Sequence, residues 1–408
     1  MASSNVSSKT ILFKREKEFW YRIPSLLHVP NTDTLLAFAE KRLGPKDENA
    51  DVLMLRKGTY KKPLKNFEWE NVTSVQAARL KDHRSMNPCP VYDKDTNTIF
   101  LLFIAVFGNT PEHQQIRTGK NVTRLCHVSS EDQGQTWSNV TDLTACTIGQ
   151  CIKEWATFAV GPGHGTQLRS GRLIIPAYAY QKQSGSGTKA RAFTFFSDDH
   201  GKTWSFGQFV SKEECGECQM VQVSRADENC ILYCNARSNK HGKKQCRVQT
   251  FSTDGGLTFM DAHLVEKLVE PPNGCHGSII SFPAKKLSHL NIYSDIKQHH
   301  CQQEKNVLKS GEDIEVILFS HTTNSKSRKD LGIYLNTCPD STHTWTEPWV
   351  INSGPSAYSE LALVELPTEE VPLVACLYEC GSSRECEQIS FSVFQLDEVL
   401  QNLLRRKP

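Results

Sequence analysis

Three arginines in the sequence have side chains suited to binding a carboxylate. Arg22 lies in a Y-R-I-P motif, Arg237 ends an N-A-R motif after an apolar run, and Arg328 shortly precedes D-L-G. A guanidinium group stays charged and offers a planar fork for bidentate pairing with a carboxylate. An isolated Arg on a β protein is usually a solvated surface group. The three arginines therefore indicate a site only if the fold brings them together.

Glu217 lies within a C-x-x-C pair formed by Cys215 and Cys218. Such a pair could indicate a zinc site or redox chemistry. No second pair stands at ligand spacing, and no βαβ pattern typical of a thioredoxin-like site surrounds it. We interpret the two cysteines as neighbours of Glu217 only, and we predict no metal and no cofactor.

Repeated boxes indicate the elements that must position these residues. Ser130–Trp137 and Ser197–Trp204 both read S-x-D-x-G-x-T-W, and their Trp residues lie 67 positions apart (204 − 137). Ser252–Phe259 ends in Phe, and Asp340–Trp345 keeps only the Asp, Thr and Trp. Each box fits a hairpin turn in which Asp accepts backbone N–H bonds, Gly supplies a positive φ and the ring fills the gap between strands. The box Asp residues are therefore predicted to be turn caps and not catalytic acids.

The box spacing predicts the architecture. Dividing 408 residues by 67 gives about six units, and short Val-, Ile- and Phe-rich runs such as Ile99–Phe107 alternate with turn residues. The sequence thus predicts an all-β fold, a six-bladed β-propeller with Asp-box turns. We expect one domain over residues 1–408, with a short extension over about 1–10 and a polar, largely patternless insertion within a blade over about 284–313. An amphipathic helix over about 396–406 is expected to cap the last blade.

Composition excludes several classes of function. The net charge is +2, which gives no electrostatic case for binding nucleic acid. Fifteen Cys residues are an odd number, and no signal segment opens the chain, so we expect reduced thiols in a cytosolic compartment. The longest apolar run, Ile99–Phe107, is too short to span a bilayer. We expect a soluble or peripheral protein.

The Y-R-I-P motif followed by several boxes resembles the sialidase (exo-α-neuraminidase) family, six-bladed propellers that remove terminal sialic acid. The similarity covers Ile11–Phe394, almost the full chain. Other stretches look like the vertebrate cytosolic and membrane-associated branch, and these are His83–Pro90, Trp155–His164, Ile175–Tyr180 and Cys376–Glu379. Gly165–Leu173 and Cys380–Gln388 look closest to the plasma-membrane-associated ganglioside sialidase of that branch. One box alone is weak evidence for the family, but the ordered set of motifs is specific for it.

The resemblance implies that Arg22, Arg237 and Arg328 form the arginine triad of the family. The carboxylate of sialic acid is attached to the reacting carbon, and three guanidinium groups would hold it there. Converging like charges repel, so an acidic neighbour should hold the first arginine in place. The resemblance implies that role for Glu379, beside Arg22.

Arg42 and Asp47 lie in a charged stretch that, without the resemblance, would be interpreted as an ordinary loop. The resemblance implies that Arg42 contacts the sugar and that Asp47 is the general acid/base on a mobile loop. Glu48 is the alternative acid. Asp47 is favoured because its place relative to Arg42 fits the pattern of the family.

Tyr358 matches the nucleophile of the family, and Glu217 matches its base. A carboxylate on the anomeric carbon would repel an anionic nucleophile, whereas a phenol that loses its proton only as it attacks avoids that repulsion. The alternative for Tyr358 is a packing residue at a strand edge.

The walls of the pocket are implied by the resemblance alone. Tyr178 and Tyr180 alternate with Ala179, so both should point to one face of a strand and meet the glycerol side chain of the sugar. Asn87, Glu112 and His276 are expected near its N-acetyl or glycerol ends. Gln is expected at the position of His276 in close relatives, so a His there could alter the pH response or have no effect.

The resemblance thus implies a retaining exo-α-sialidase without metal or cofactor, acting on gangliosides, oligosaccharides and glycoproteins. Its expected partners are sialylated glycolipids and glycans, and no nucleic acid. Peripheral association with the plasma membrane is expected, with the cytoplasm as the alternative. A propeller that only binds sialylated glycans and a protein-interaction scaffold are the rival functions. Oligomeric state and linkage preference stay open.

Overall fold

The computed structural model describes residues 9–185, 187–224, 230–238, 245–288, 292–303, 315–339 and 341–404. Within these ranges the fold is all-β, as the short apolar runs predict. The strands of the N-terminal half are β1 (Thr10–Lys14), β2 (Trp20–His28), β3 (Thr34–Arg42), β4 (Ala50–Lys61), β5 (Asn66–Trp69), β6 (Thr73–Ser74), β7 (His83–Asp93), β8 (Thr98–Phe107), β9 (Thr123–Ser130), β10 (Thr141–Asp142), β11 (Trp155–Val160), β12 (Thr166–Gln167) and β13 (Leu173–Lys182). Those that follow are β14 (Thr188–Ser197), β15 (Ser205–Phe206), β16 (Cys215–Ser224), β17 (Cys230–Ser238), β18 (Cys246–Ser252), β19 (His263–Val269), β20 (Ser278–Pro283), β21 (Glu315–Thr322), β22 (Lys329–Asn336), β23 (Trp349–Val364), β24 (Leu373–Cys380) and β25 (Gln388–Gln395).

Helices are short and lie between or after the strands. The α-helices are α1 (Glu112–Thr118), α2 (Ile292–Gln303) and α3 (Leu396–Leu404). Single turns of 3-10 helix cover Asp47–Asn49, Lys62–Leu64, Gly149–Glu154 and Ala284–Leu287, and a π-helical turn covers Thr144–Ile148.

Antiparallel pairing joins the strands in a propeller-like arrangement. Their hydrogen-bonded orders are β2-β3-β4-β5 with β6 on β4, β7-β8-β9-β10, β11-β13-β14-β15 with β12 on β13, β16-β17-β18-β19, and β20-β21-β22-β23-β24-β25-β1. Among the described residues this pairing gives five sheets, where six separate ones were expected. The difference arises in the last sheet, which has seven strands.

The long strand β23 accounts for that seven-stranded sheet. Its first part pairs with β22, with Trp349 opposite Ile333 and Asn352 opposite Leu331. From Ser356 onward it pairs with β24. A single strand of 16 residues therefore belongs to two antiparallel ladders in succession.

Apolar side chains fill the spaces between neighbouring sheets. Leu36 and Phe38 of β3, for example, are buried in one cluster with Leu101 and Phe103 of β8. The side chains of a strand point alternately to its two faces, and both faces of these strands are covered by a neighbour. This explains why the strands read as nearly continuous apolar runs, with burial on both sides.

The box turns have the predicted geometry. In Ser130–Trp137, Oδ1 of Asp132 accepts hydrogen bonds from the Thr136 backbone N–H at 2.9 Å and from the Ser130 hydroxyl at 2.8 Å. The box Asp residues Asp199 and Asp254 accept the equivalent backbone bonds at 2.8 and 2.9 Å. The box aspartates that the structure describes are therefore turn caps, as predicted. Asp340 of the fourth box lies outside the described residues.

The box aromatic rings connect neighbouring sheets. Trp137 packs edge-on against Phe38 with ring centroids 6.1 Å apart, and Trp204 packs in the same way against Phe100 at 6.2 Å. Gly201 has φ +76°, and a Cβ at this position would collide with the Phe100 ring. The Gly of this box is thus required both by the turn and by the close approach of the next sheet.

The segment between β20 and β21 differs from the expected patternless insertion. It contains a 3-10 turn over Ala284–Leu287 and then α2, which buries Ile292 and Ile296 against the apolar face of α3. The sequence pattern is weak because α2 is mostly polar and buries only Ile292 and Ile296 among residues 292–298. Residues 289–291 and 304–314 lie outside the described residues.

Helix α3 is amphipathic and packs on the seven-stranded sheet, as its pattern predicts. Leu396, Val399, Leu400 and Leu403 are all buried. Residues 405–408 lie outside the described part of the chain. In the ranges that the structure covers, no helix has the length and apolar character needed to cross a membrane. No disulfide joins the fourteen cysteines whose side chains the structure describes.

Candidate active site

A cavity of about 250 Å³ opens at one end of the innermost strands. It is lined by eleven of the thirteen side chains that were expected to form a site, namely Arg22, Arg42, Asp47, Asn87, Glu112, Tyr178, Tyr180, Glu217, Arg237, Arg328 and Tyr358. The other two, Glu379 and His276, are completely buried and do not reach the cavity surface. Residues from β2, β3, β7, β13, β16, β17 and β23 thus converge from distant parts of the chain.

Irregular strand pairing positions four of these side chains. The register shifts between Arg22 and Ser25 in β2, around Asn87 in β7, around Glu217 in β16 and around Tyr358 in β23. An extra residue on one strand locally changes the direction of its side chains. Each of these strands therefore departs from regular pairing at the residue that it presents to the cavity.

Two of those strands also contain strained backbone at the same place. Ile23 has φ +59° and Asn87 has φ +55°. The Ile23 backbone N–H donates to Oε1 of Glu379 at 2.9 Å, and the Asn87 backbone N–H donates to Oε1 of Glu40 at 2.7 Å. Positive φ is costly for a β-branched residue such as Ile, so the hydrogen bond to a buried carboxylate helps to hold this conformation.

The three arginines converge on Tyr358 from different strands. Arg22 Nε donates to Oε1 of Glu379 at 2.6 Å, and Arg328 donates to the Gly274 carbonyl through Nε at 3.2 Å and Nη2 at 2.9 Å. The guanidinium carbons of Arg22 and Arg328 both lie 5.5 Å from the centre of the Tyr358 ring. Burial opposes the charge on Arg22, but the Glu379 carboxylate outweighs it and raises the pKa of Arg22 above its ordinary value. The predicted acidic neighbour of Arg22 is therefore in place.

Arg237 connects the arginine group to a carboxylate and a phenol. Its Nη1 donates to Oε2 of Glu217 at 2.7 Å and to the Tyr358 hydroxyl oxygen at 3.0 Å, while Nη2 donates to the Asn273 carbonyl. Arg237 is mostly buried, and ion pairs are strong where water is excluded. The three side chains therefore form one charged unit.

Tyr358 and Glu217 form the shortest contact of that unit. The Tyr358 hydroxyl donates to Oε1 of Glu217 at 2.6 Å. Burial, and then the Glu217 carboxylate, raise the pKa of the Tyr358 phenol well above its ordinary value. Burial alone would raise the pKa of Glu217, but the Arg237 guanidinium, His276 and the hydrogen bonds from Tyr358 and Arg237 together hold that pKa below its ordinary value. At neutral pH the pair is thus a neutral phenol bonded to a carboxylate.

Arg42 and Asp47 lie at the opposite side of the cavity. Arg42 is completely buried and donates to Oε2 of Glu40 through Nε at 2.8 Å and Nη2 at 2.6 Å, and to Oδ1 of Asp47 through Nη1 at 2.5 Å. Asp47 begins a 3-10 turn, and its side chain is 58% exposed. Burial opposes ionisation of Asp47, but Arg42 and then Arg22 outweigh it and lower its pKa. Glu48, the alternative acid, does not line the cavity.

A carboxyl group and two tyrosines form a third wall. Glu112 begins α1 and accepts a 3.3 Å hydrogen bond from the Tyr178 hydroxyl, whose ring lies edge-on to Tyr180 with centroids 6.2 Å apart. Burial, followed by repulsion from Glu217 and Asp47, raises the pKa of Glu112 to about 7. Glu112 therefore changes charge near neutral pH, whereas Glu217 and Asp47 are ionised there.

His276 does not line the cavity as expected. It lies behind Tyr358, with ring centroids 5.5 Å apart, and is fully buried. It is therefore not a contact residue for a molecule in this cavity. Its position in the sequence, close to a strand end, does not indicate that the side chain is buried behind Tyr358.

Two residues at the site were missed from the sequence. Glu40 is fully buried and joins Arg42 to the Asn87 backbone, and Arg84 lines the cavity and donates to the carbonyls of Gly108 and Thr110. Glu40 could have been found, because it precedes Arg42 by two residues on a strand and so shares its face. The sequence around Arg84 gives no comparable signal, since no acidic residue lies two positions from it within its strand, β7.

The one group of potential metal ligands found among the described residues lies away from this cavity. Asp93, Asp95 and His200 bring ligand atoms within 4.8 Å of one another. Asp93 already accepts hydrogen bonds from Thr96, Gln167, the Asp95 backbone N–H and a His200 ring nitrogen. This geometry is that of a hydrogen-bonded turn. The cavity is lined by guanidinium, carboxyl, phenol and amide groups, together with the hydroxyls of Thr123 and Thr157 and the thioether of Met86.

Known proteins resemble the chain over nearly its whole length. A BNR repeat-like domain is matched over residues 33–367. The chain is 44% identical to Sialidase-2 of Cricetulus griseus, covering 98% of each chain, and 43% identical to Sialidase-3 of Mus musculus, covering 97% of this chain and 96% of that one. The solved structure of a Hadza microbial sialidase has a TM-score of 0.69 at 22% identity, over 93% of this chain and 66% of that one. That likeness supports the propeller-like fold.

Proposed function

The chain belongs to the sialidase family and is an exo-α-sialidase, a glycoside hydrolase, and from this premise we propose that it retains configuration through a covalent intermediate on Tyr358. The proposal is carried by one observation. A phenol bonded at 2.6 Å to a buried carboxylate lies within the reach of three arginines at the base of the cavity. Sialidases are exceptional among glycosidases in using a Tyr nucleophile.

The arginine triad would hold the substrate by its carboxylate. Arg22, Arg237 and Arg328 provide positive charge around the Tyr358 ring, and Glu379 keeps Arg22 oriented. A carboxylate bound here would place the anomeric carbon, to which it is attached, close to the phenol oxygen. Binding by charge-assisted hydrogen bonds in a water-poor cavity supplies both affinity and orientation.

The state of the Tyr358–Glu217 pair fits its proposed role. The raised pKa of the phenol keeps Tyr358 neutral, and the lowered pKa of Glu217 keeps it able to accept a proton. The phenol oxygen would attack the anomeric carbon while its proton moves to Glu217 and the glycosidic bond breaks. A neutral nucleophile approaches the substrate carboxylate without charge repulsion.

Asp47 would protonate the leaving oxygen and later deprotonate water for the second displacement. Burial favours its protonated form, but Arg42 and Arg22 lower its pKa and so disfavour the acid in the free protein. A substrate carboxylate on Arg22 would neutralise part of that positive field and so raise the pKa of Asp47. Substrate binding would thus prepare the acid that the first step needs.

The remaining wall residues would select the sugar. Tyr178 and Tyr180 would face the glycerol side chain, with Glu112 bonded to Tyr178 beside them, and Asn87 would lie near the N-acetyl or glycerol end. Glu112 is the group most able to change with pH, since its pKa of about 7 lies above that of the other cavity carboxylates. The chemistry proposed here uses these side chains only, so activity should survive dialysis against EDTA.

We also propose that the chain is one domain of six blades. Apolar clusters between neighbouring ladders support this, because they link each ladder to the next and return from the last to the first. The seven-stranded sheet would then contain two blades that share β23. Small-angle scattering that requires an open arrangement would contradict the contact between the last ladder and the first.

For substrate and location we propose gangliosides at the plasma membrane, reached by peripheral association, with a cytoplasmic enzyme acting on soluble glycans as the alternative. The resemblance of Gly165–Leu173 and Cys380–Gln388 to the ganglioside branch supports this proposal. When cells are fractionated, the protein should sediment with the membranes. A wash with alkaline carbonate or hydroxylamine should then release it. Recovery in the soluble fraction alone, with sialyllactose cleaved as well as ganglioside, would favour the alternative.

The stereochemistry of the product tests the mechanism. Purified protein is incubated with an aryl α-sialoside and with sialyllactose, and the first sialic acid released is followed by proton NMR. Double displacement through Tyr358 predicts the α-anomer first. The β-anomer appearing first would reject the nucleophile. Absence of turnover from acidic to neutral pH would instead support a glycan-binding propeller.

A further inference from the structure

The side chains behind the nucleophile include polar atoms without hydrogen-bond partners. His276 is fully buried, and neither of its ring nitrogens has a partner among the described residues. Oε2 of Glu360, also fully buried, is unpartnered in the same sense and lies 4.0 Å from His276 Nε2. Buried polar atoms are costly when unpaired. These two atoms are of complementary type and close together, which points to a functional relation between them.

Glu360 links His276 to a second histidine. Its Oε1 is bonded to Nδ1 of His164, so His164, Glu360 and His276 form a row of three polar side chains. His164 reaches a second cavity of about 330 Å³, lined by Leu26 of β2 and Leu361 of β23. The row therefore runs from that cavity to the back of the Tyr358 ring.

The contact between His276 and Tyr358 is direct. Their ring centroids are 5.5 Å apart at an interplanar angle of 42°. On its other side the phenol is bonded to Glu217 and Arg237. Tyr358 is thus held by hydrogen bonds at its oxygen and by a ring at its back.

We propose that His276 is a positioning residue for the nucleophile: its uncharged ring, with Glu360 4.0 Å from Nε2, packs against the Tyr358 ring so that the phenol stays in place against Glu217. The inference rests on the assignment of Tyr358 as the nucleophile. It differs from the sugar contact that the sequence suggested for His276, because His276 acts here through Tyr358 and touches no substrate.

The surroundings of His276 favour the uncharged ring. The ionisable groups whose charges act on it are Glu217 of β16, Arg237 of β17, Arg247 of β18 and His321 of β21, and Tyr358 and Glu360 of β23 lie beside it. Burial, only partly offset by Glu217, lowers the pKa of His276 to about 3. A neutral imidazole can pack against the phenol ring without adding charge to the arginine group, and its Nε2 lies 4.0 Å from Oε2 of Glu360, beyond hydrogen-bond distance.

The test separates turnover from binding. In His276→Leu the brace and the N–H are lost, and kcat on an aryl α-sialoside should fall roughly 10- to 100-fold, the range expected when a reacting group is misplaced. The dissociation constant of an unsaturated sialic acid analogue should change less than about twofold, because the arginines are intact. His276→Gln keeps an N–H donor and should recover part of kcat. A purely structural role would lower the melting temperature without separating kcat from binding.

Glu360→Gln tests whether the row acts as a unit and remains informative if His276→Leu fails to fold. We expect Glu360→Gln to lower kcat with unchanged analogue binding, and the double variant with His276→Gln to be no worse than the more impaired single variant. His127→Leu is the matched control. His127 packs on Phe100 with centroids 5.8 Å apart at 39° and also has an unpartnered Nδ1, but it lies outside the cavity.

Three outcomes in the His276 and Glu360 variants would overturn the inference. They are a kcat within twofold of wild type in all His276 and Glu360 variants, losses of kcat matched by equal losses of analogue binding, and independent effects that multiply in the double variant. A kcat loss in His127→Leu equal to that in His276→Leu would also reject it, because the effect would then follow from stability. If the wild-type protein turns over no sialoside, the proposed function fails first, which is a distinguishable result.

Discussion

The two sides of the cavity are built in opposite ways. Tyr358 and Glu217 are 6% and 8% exposed, lie on strands, and are bonded to each other and to Arg237. Asp47 lies on a short turn after β3, its side chain is 58% exposed, and its contact with the cavity wall is the bond to Arg42. Leu43, four residues before it, is also largely exposed.

This difference matches two chemical tasks. A nucleophile must stay within bonding distance of one carbon, and buried side chains on paired strands lose little freedom in doing so. A general acid that later becomes a base must exchange protons with water, which requires exposure. The buried side therefore fixes position, and the exposed side permits proton exchange.

Removing the phenol oxygen of Tyr358 should produce the largest loss of kcat, and the change affects only the buried side. Tyr358→Phe should reduce kcat by roughly 10³-fold or more, as removal of a nucleophile does in other hydrolases. An unsaturated sialic acid analogue should still bind, since Arg22 and Arg328 are unchanged. The measurements are steady-state kinetics and calorimetry. Substantial turnover by Tyr358→Phe would show that the buried side does not contain the nucleophile.

The loss of activity caused by a change at Asp47, on the exposed side, should depend on the leaving group of the substrate. Asp47→Ala should lose roughly 10²- to 10⁴-fold in kcat on sialyllactose, the usual range for general acid–base catalysis. On an aryl sialoside with a good leaving group, the loss in the bond-breaking step should be much smaller. Glu48→Ala, at the neighbouring exposed position, serves as the control. Equal losses of Asp47→Ala on both substrates would remove the acid role.

Weakening the connection between the arginines and the pair should have an intermediate effect. Arg237→Lys keeps the charge but loses the planar fork whose Nη1 bonds Glu217 and Tyr358 while its Nη2 bonds the Asn273 carbonyl. We expect kcat/KM to fall by roughly 30- to 200-fold, about 2 to 3 kcal/mol at the lower end of the cost of a broken buried pair. Wild-type kcat/KM in this variant would show that the arginine is not part of the charged unit.

The smallest effect should come from Glu112, between the two sides. Its pKa is raised to about 7, so the native protein binds more protons than the unfolded chain between about pH 4.5 and 7. Stability is therefore lost as pH rises through this window. Glu112→Gln should melt at a higher temperature than wild type at pH 8 and at the same temperature at pH 4. The negative charge that Glu112 acquires above about pH 7 should lower kcat/KM in the wild type, and this loss should disappear in Glu112→Gln.

Scanning calorimetry and pH profiles of both proteins decide this point. Identical melting curves at pH 8 would show that Glu112 ionises at an ordinary pH. An unchanged alkaline limb would show that its charge does not reach a bound carboxylate.

The sequence was most informative where a residue type and its order determined the chemistry. The arginines, Tyr358, Glu217 and Asp47 were located because the ordered motifs resemble a family, and the box aspartates because a turn needs those residues in that spacing. The register shifts at Arg22, Asn87, Glu217 and Tyr358 leave no sequence pattern, since they arise from how strands meet. The same holds for the depth of His276 and for the double pairing of β23, which changed the expected sheet count.

The pairing of β1 with β25 has a consequence for how the protein is made. Thr10 lies opposite Phe391, so the earliest strand described completes a sheet with one of the last. Such a contact spans nearly the whole chain and is slow to form. A ribosome-bound chain must keep β1 unpaired until β25 has emerged, which makes closure a late event of biosynthesis. Until then β1 is an open strand edge available to other chains, and chaperones should be needed most at this stage.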